Sequence, residues 1–441
     1  MNKPPNHFYF PIKPLALTIA ALCSLNAANA HAVAKPLTEA NTLLEAMGDP
    51  NEASFMKNNH LKIGGWLNSG ITYNATDPGD RFNGPVTFGD RSAEPQVNQL
   101  NLFLQRAVAS EGSSWDLGGR FDVMYGSDAV FTQAYGVPGN ELGFAPGTRP
   151  LDRGTWDLDI TSNSRFYGFA IPQAYLEAYI PIGNGLNVKA GHFYTPIGYE
   201  TVPAPDNFFY THAYTMQYGE PFTHTGIMAN YTIDKNWAVM GGAVTGSATG
   251  GWDGSWDQQL GNWSGLMGAT WTSNSKATSL NMSGTYGARS EQTDDAWAMY
   301  SAVLKHNFTD KMHFVLQHDH GFADGINPAY STAPDAEWYG VLSHLTYDVR
   351  DDLTAGIRGE WFRDQNGFRV CAPGRTAARC APGSFYAVTA GVTWKPVKWL
   401  NVRPNVRYDW VDSNAPAGSQ PFDGGNQDNQ FLFSTDMTLA F

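Results

Sequence analysis

The run Leu400-Asn-Val-Arg-Pro-Asn-Val-Arg-Tyr-Asp-Trp410 puts Leu400, Val402, Pro404, Val406, Tyr408 and Trp410 on one side and Asn401, Arg403, Asn405, Arg407 and Asp409 on the other. A period of two belongs to an extended strand, whose successive side chains point to opposite faces. One face is hydrocarbon and ring; the other carries full charges. Pro404 removes a ladder donor from this strand, so a bulge or a lost bond is expected there.

The same two-faced pattern recurs from residue 61 onward. In 279–286, Ser279, Asn281, Ser283 and Thr285 oppose Leu280, Met282, Gly284 and Tyr286. In 353–361, Leu353, Ala355, Ile357, Gly359 and Trp361 oppose Thr354, Gly356, Arg358 and Glu360. In 115–125, Trp115, Leu117, Phe121, Val123 and Tyr125 face away from Asp116, Arg120 and Asp122. A soluble sheet wet on one face would read alike. Three features favour a membrane instead: aromatics gather at strand ends (Trp115, Tyr125, Trp361, Trp394, Trp410, Phe441), segment lengths suit tilted spans of a hydrocarbon core, and short connections alternate with long ones.

The short connections are 110–114, 181–185, 232–236, 273–276, 307–311, 347–352 and 395–398; the long ones lie near 75–94, 127–168, 195–221, 247–262, 288–294, 321–336, 365–383 and 412–429. Together they predict sixteen antiparallel strands with both ends on the short-turn side: an all-β transmembrane barrel with short periplasmic turns and long extracellular loops. The last strand, Gln430 to Phe441, alternates into a carboxyl-terminal phenylalanine. That ending resembles the signature by which outer-membrane barrels are handed to their insertion machinery.

Composition agrees. The 441 residues carry 16% charged and 13% aromatic side chains, 46 glycines and a net charge of −13. So many aromatics exclude a disordered chain, and the acidity disfavours nucleic-acid binding. The longest nearly uninterrupted apolar run, Leu15 to Leu25, is too short for a membrane helix. Preceded by Lys3 and Lys13 and followed by small residues at Ala28, Ala30 and Ala32, it reads as a secretory signal over 1–32, cleaved near 30–32. Leu22 before Cys23 argues against a lipoprotein. Cleavage removes two lysines, so 26 of the 28 basic residues remain against 41 acidic ones and the net charge becomes −15. Residues 33–60 form a periplasmic segment in which Leu37 to Met47 suits a short helix, and 61–441 form the barrel. Cys371 and Cys380, the remaining cysteines, are expected to close a small disulfide loop in an oxidising compartment. No cofactor is indicated.

Several local motifs are familiar. Gly65-Trp-Leu-Asn-Ser-Gly-Ile-Thr72, Arg81-Phe-Asn-Gly-Pro-Val86, Asn98-Gln-Leu-Asn101, Gly359-Glu-Trp-Phe-Arg-Asp364 and Gly191-His-Phe-Tyr-Thr-Pro-Ile-Gly-Tyr-Glu200, with Asn207-Phe-Phe-Tyr210, resemble the OmpL-like β-barrel porin family. The resemblance implies a channel in the outer membrane of a Gram-negative-type bacterium.

Barrel size points the same way, because sixteen strands leave an aqueous lumen where eight fill theirs with side chains. The expected pore-lining set is Asp116, Arg120, Asp122, Glu177, Lys189, Arg358, Glu360, Arg403, Arg407 and Asp409. By analogy with general porins the third long connection folds inward as a constriction. It is rich in aromatics, among them Tyr199, Tyr210 and Tyr214, and its carboxylates Glu200, Asp206 and Glu220 meet no lysine or arginine within the loop. Strand thirteen and its neighbours lie opposite, so these carboxylates would face Arg358, Arg403 and Arg407 and set a transverse field. Such a pore passes small hydrophilic solutes and ions passively, in contact with outer-membrane lipid and, by analogy, as a homotrimer. A sugar- or nutrient-specific channel would use the loop tyrosines as a ladder. An adhesion barrel would use the loops at 127–168 and 247–262. An enzyme is not expected: His192, His212, His224, His313, His318, His320 and His344 accompany no nucleophile motif, and His318-Asp-His320 is an incomplete metal site that reads as a solvated cluster at the pore mouth.

Overall fold

The computed structural model describes residues 34–79, 81–109, 111–132, 167–245, 263–290, 293–324, 335–370, 382–413 and 420–441. The strands are β1 (Leu61–Asn74), β2 (Gln96–Arg106), β3 (Asp116–Gly126), β4 (Gly168–Ile180), β5 (Leu186–Tyr194), β6 (Thr223–Thr232), β7 (Trp237–Thr245), β8 (Trp263–Thr272), β9 (Thr278–Ser290), β10 (Thr293–Asn307), β11 (Met312–Ala323), β12 (Ala336–Arg350), β13 (Leu353–Asp364), β14 (Gly383–Val397), β15 in two pieces (Leu400–Val402 and Asn405–Ser413) and β16 (Asn429–Ala440). Each pairs antiparallel with its neighbours in sequence, and β1 pairs with β16 from Trp66 opposite Ala440 to Asn74 opposite Leu432. The sheet therefore closes, with no strand edge left over. The chain end takes part: Gly65 N donates to Phe441 O at 2.8 Å and Phe441 N to Gly65 O at 2.9 Å.

β15 breaks where the proline stands, and the break is small. Arg403 N still donates to the Asp436 carbonyl at 3.0 Å, and the Pro404 carbonyl accepts from Val392 N at 3.1 Å. The loop expected at 288–294 is largely strand, since β9 runs to Ser290 and β10 starts at Thr293.

Polarity is inverted relative to a soluble protein. The outward parity presents Leu117, Leu176, Ile227, Met267, Met282 and Phe433, with Leu176 75% exposed, whereas Asn68, Asn101, Asp122, Gln317, Ser434 and Asp436 are buried on the inward parity. An apolar outer belt and an interior able to bond polar groups suit a sheet that spans hydrocarbon. The main apolar cluster lies inside the barrel, where loop residues such as Val86, Phe88, Ile197, Tyr214 and Phe368 meet Trp297, Trp338 and Phe362 of the wall.

Before β1, the helix expected over Leu37 to Met47 is confined to α1 (Leu43–Met47). Glu39 and Ala40 N–H groups turn back onto the Pro36 carbonyl, and Thr42 caps α1 by accepting from Glu45 N. A second helix, α2 (Ser54–Asn58), follows. The segment is tied to the short-turn end: Asn51 exchanges side-chain bonds with the backbone of Ile63, and Trp399 Nε1 donates to Leu37 O at 2.8 Å.

Met282→Arg, on the lipid-facing parity, should cost about 2–4 kcal/mol of folding free energy in lipid vesicles, whereas the inward Asn281→Lys should cost less than about 1 kcal/mol. Denaturant titration of vesicle-folded protein checks the ordering, and equal costs would contradict the assigned faces.

Candidate functional site: a loop clamped inside the barrel

The connection from β5 to β6 turns into the lumen and is held there by the wall. Arg358 of β13 carries the first contact: Nη1 donates to Glu200 Oε1 and to the Thr211 carbonyl, both at 2.7 Å. The second Glu200 oxygen accepts from Ala213 N at 2.9 Å and lies 3.1 Å from His212 Nδ1. Arg403 of β15 pairs with Asp436 and donates through Nη1 to the carbonyls of Ala204 and Asn207, at 2.8 and 2.7 Å. Arg407 binds Asp409 at 2.7 Å, Glu360 at 3.2 Å and the His212 carbonyl at 2.5 Å. Tyr214 closes this group, donating its hydroxyl to Asp409 and its backbone N–H to Glu360.

From β2, Gln99 donates to Val202 O at 2.7 Å and accepts from Ala204 N at 3.0 Å, while Asn98 accepts from the Tyr210 hydroxyl. Two wall glycines let the loop approach. A Cβ on Gly70 would stand 2.6 Å from the Tyr210 ring, and one on Gly356 would stand 2.5 Å from Phe208.

Other segments fold in beside it. Residues 82–90 bring Val86 and Phe88 inward; Pro85 O accepts from Gln217 Nε2 and the Tyr218 hydroxyl, and Phe88 stacks on Phe131 at 4.4 Å. After β13, Asp364 accepts from the backbone N–H groups of Phe368, Arg369 and Val370. Arg369 then bonds to the Tyr218 carbonyl.

The sequence-expected residues thus divide. Arg358, Glu360, Arg403, Arg407 and Asp409 are buried beneath the loop. Glu200 meets Arg358 directly, whereas Glu220 meets no arginine among the described residues. Gln317 Nε2 bonds it at 2.5 Å and also bonds Asp319, and burial together with that neighbouring carboxylate pushes the Glu220 carboxyl well above the usual range. Asp206 projects exposed from the loop on the side of Arg120, which lies within electrostatic range. Arg120 is itself bound to Asp122 at 2.6 Å, and Asp116 to Arg106 at 2.8 Å. Glu177 and Lys189 are register partners on β4 and β5, both partly accessible.

The histidine expectation changes. His318 and His320 share the parity of the exposed Leu316 and Phe322, so they face outward beside Tyr300 and Glu337 and are not a cluster at the pore mouth. Cys371 and Cys380 lie outside the described residues, as do the signal and most of the loops at 127–168 and 247–262. Gln99, Gln317 and Trp338, which anchor the loop, escaped the sequence reading because an inward Gln or Trp carries no charge to flag it. The apolar run inside Arg81 to Phe88 was the available sign of a second inward segment.

With this geometry in place, the comparisons are informative. The family model described as "Putative beta-barrel porin-2, OmpL-like" matches residues 60–441. The chain belongs to that family. Its fold is shared with the outer-membrane channel DcaP of Acinetobacter baumannii (13% identity, 86% of this chain and 97% of that one, TM-score 0.51). It is also similar to an anion-selective porin from Comamonas acidovorans (10%, 86% and 99%, 0.54) and to OprB of Pseudomonas putida (12%, 88% and 96%, 0.53). No curated protein matches. This member of the family is an outer-membrane β-barrel channel.

Arg358→Met should strand Glu200 without its cation and lower stability by about 3–5 kcal/mol. Adding Glu200→Gln should restore part of the loss, as read by denaturant midpoints of the single and double variants.

Proposed function

We propose that small hydrophilic solutes and ions diffuse passively through the lumen along β3 to β10, the side away from the clamp. One contrast carries this reading. On β12 to β16 the mid-wall inward groups Leu342, Phe362, Arg407, Asp409 and Ser434 are closed off, whereas on β4 to β10 Tyr175, Glu177, Asn187, Lys189, Asn230, Thr270, Asn281 and Lys305 keep access to solvent toward the short turns, with Met228, Leu266 and Met299 buried nearer the loops. Here the field opposes Asp206 on the loop to Arg120 and Lys189 on the wall. The three arginines of the clamp, already paired, serve to position the loop. This is a transport role without catalysis. Lipid covers the outer face, and Phe441 presents the last strand to the insertion machinery. The assembly we expect is a homotrimer, the form described for one structure of OmpT from Vibrio cholerae.

Purified protein should give stepwise conductance in planar bilayers. Asp206→Lys should move the reversal potential in a KCl gradient toward anions, because it removes a fixed negative charge from the solute path. Absence of steps would overturn the transport reading, and an unchanged reversal potential would remove Asp206 from the path.

A further inference from the structure

Two accessible lysines inside the barrel stand apart from the other inward charges. Lys189 Nζ lies over the Tyr175 ring, 4.2 Å from its centre, with the Phe193 ring at 5.8 Å. Lys305 Nζ lies over the Tyr199 ring at 4.9 Å. Neither makes an ion pair among the described residues. Arg120 also sits over a ring, that of Phe103 at 4.2 Å, but Asp122 takes up its charge. Both lysines are near the short-turn ends of their strands.

An ammonium resting on a ring offers two things at once. It is a cation that can swing to an arriving anion, and the swing bares a flat apolar face next to that anion. A chloride ion uses only the first. A carboxylate attached to a flat apolar group uses both.

We propose that Lys189 with Tyr175, and Lys305 with Tyr199, are two binding stations for small carboxylates bearing a flat apolar part. The stations set which solutes the channel favours. They rest on the passage along β3 to β10 proposed above, and deepen it by naming a solute class. Glu177 opposite Lys189 confines that station to solutes of one negative charge, since a second carboxylate would meet it.

The test uses the full-length purified protein in planar bilayers at about 0.15 M KCl, where screening extends over about 8 Å. Benzoate added on the short-turn side should interrupt the current at concentrations about fivefold or more below those at which acetate does, since acetate lacks the ring-facing part. Lys189→Gln and Lys305→Gln should each raise the half-blocking benzoate concentration by about five- to tenfold, read against each variant's own open-channel current in KCl, the loss expected for one charge-assisted contact. Lys305→Arg, which keeps the charge, should retain most of the block. Equilibrium binding of benzoate to detergent-solubilised protein, followed by saturation-transfer NMR, should give the same ordering without relying on conductance. Normal steps with equal effects of benzoate and acetate, or with block unchanged in both glutamine variants, overturn the stations alone. A wild-type protein that gives no steps overturns the passage itself.

Discussion

A strand in hydrocarbon has no water to take its backbone N–H and C=O groups, and each group left unpaired there costs several kcal/mol. The register of β1 on β16, carried to the chain end by the reciprocal bonds between Gly65 and Phe441, is therefore the contact on which the rest of the molecule depends. Once the last edge is paired, the outer face can be largely apolar and the inner face can carry polar and charged groups. The gap at Pro404 falls where the missing donor leaves neighbouring bonds intact on both sides.

Closure with sixteen strands creates an interior too wide for the wall's own side chains to fill. The chain fills one side of it with its loops, and the result is an apolar core inside a polar cylinder. Residues 195–222, 82–90 and 364–370 supply the aromatic groups, and the wall supplies hydrogen bonds. Burying Arg358, Arg403 and Arg407 is expensive, and ion pairs of this sort return little net stability over apolar replacements. Their value is directional. A guanidinium can hold a carboxylate and a backbone carbonyl at once, as Arg358 holds Glu200 and Thr211, so the loop has one seat and not several.

The clamp divides the lumen by charge compensation. Arginines beneath the loop have their counter-charges within reach, whereas Lys189, Lys305, Glu177 and Asp206 on the accessible side have none in contact among the described residues. Fixed charges that are not locally paired are the ones a passing solute feels.

The strands and their faces were legible in the sequence because a period of two records which side of a sheet each residue takes, and lipid on one side permits few exceptions. Alternation of short and long connections likewise revealed strand count and the common end of both termini. Partnership across the lumen was only partly legible. That loop carboxylates would meet wall arginines followed from strand order, yet which carboxylate meets which arginine, and that Glu220 meets none, depends on how the loop coils through Ala204–Asp206 and Thr215–Gly219. His318 and His320 were misplaced because spacing alone gives their shared face without saying which face it is. The sequence by itself determined a closed, two-faced sheet, since each residue's polarity is a local property written position by position. Only the tertiary structure decided which charges are neutralised and which stay open to solvent, because that depends on distances across strands and loops, as between Arg358 and Glu200, set by the packing of loops inside the closed wall.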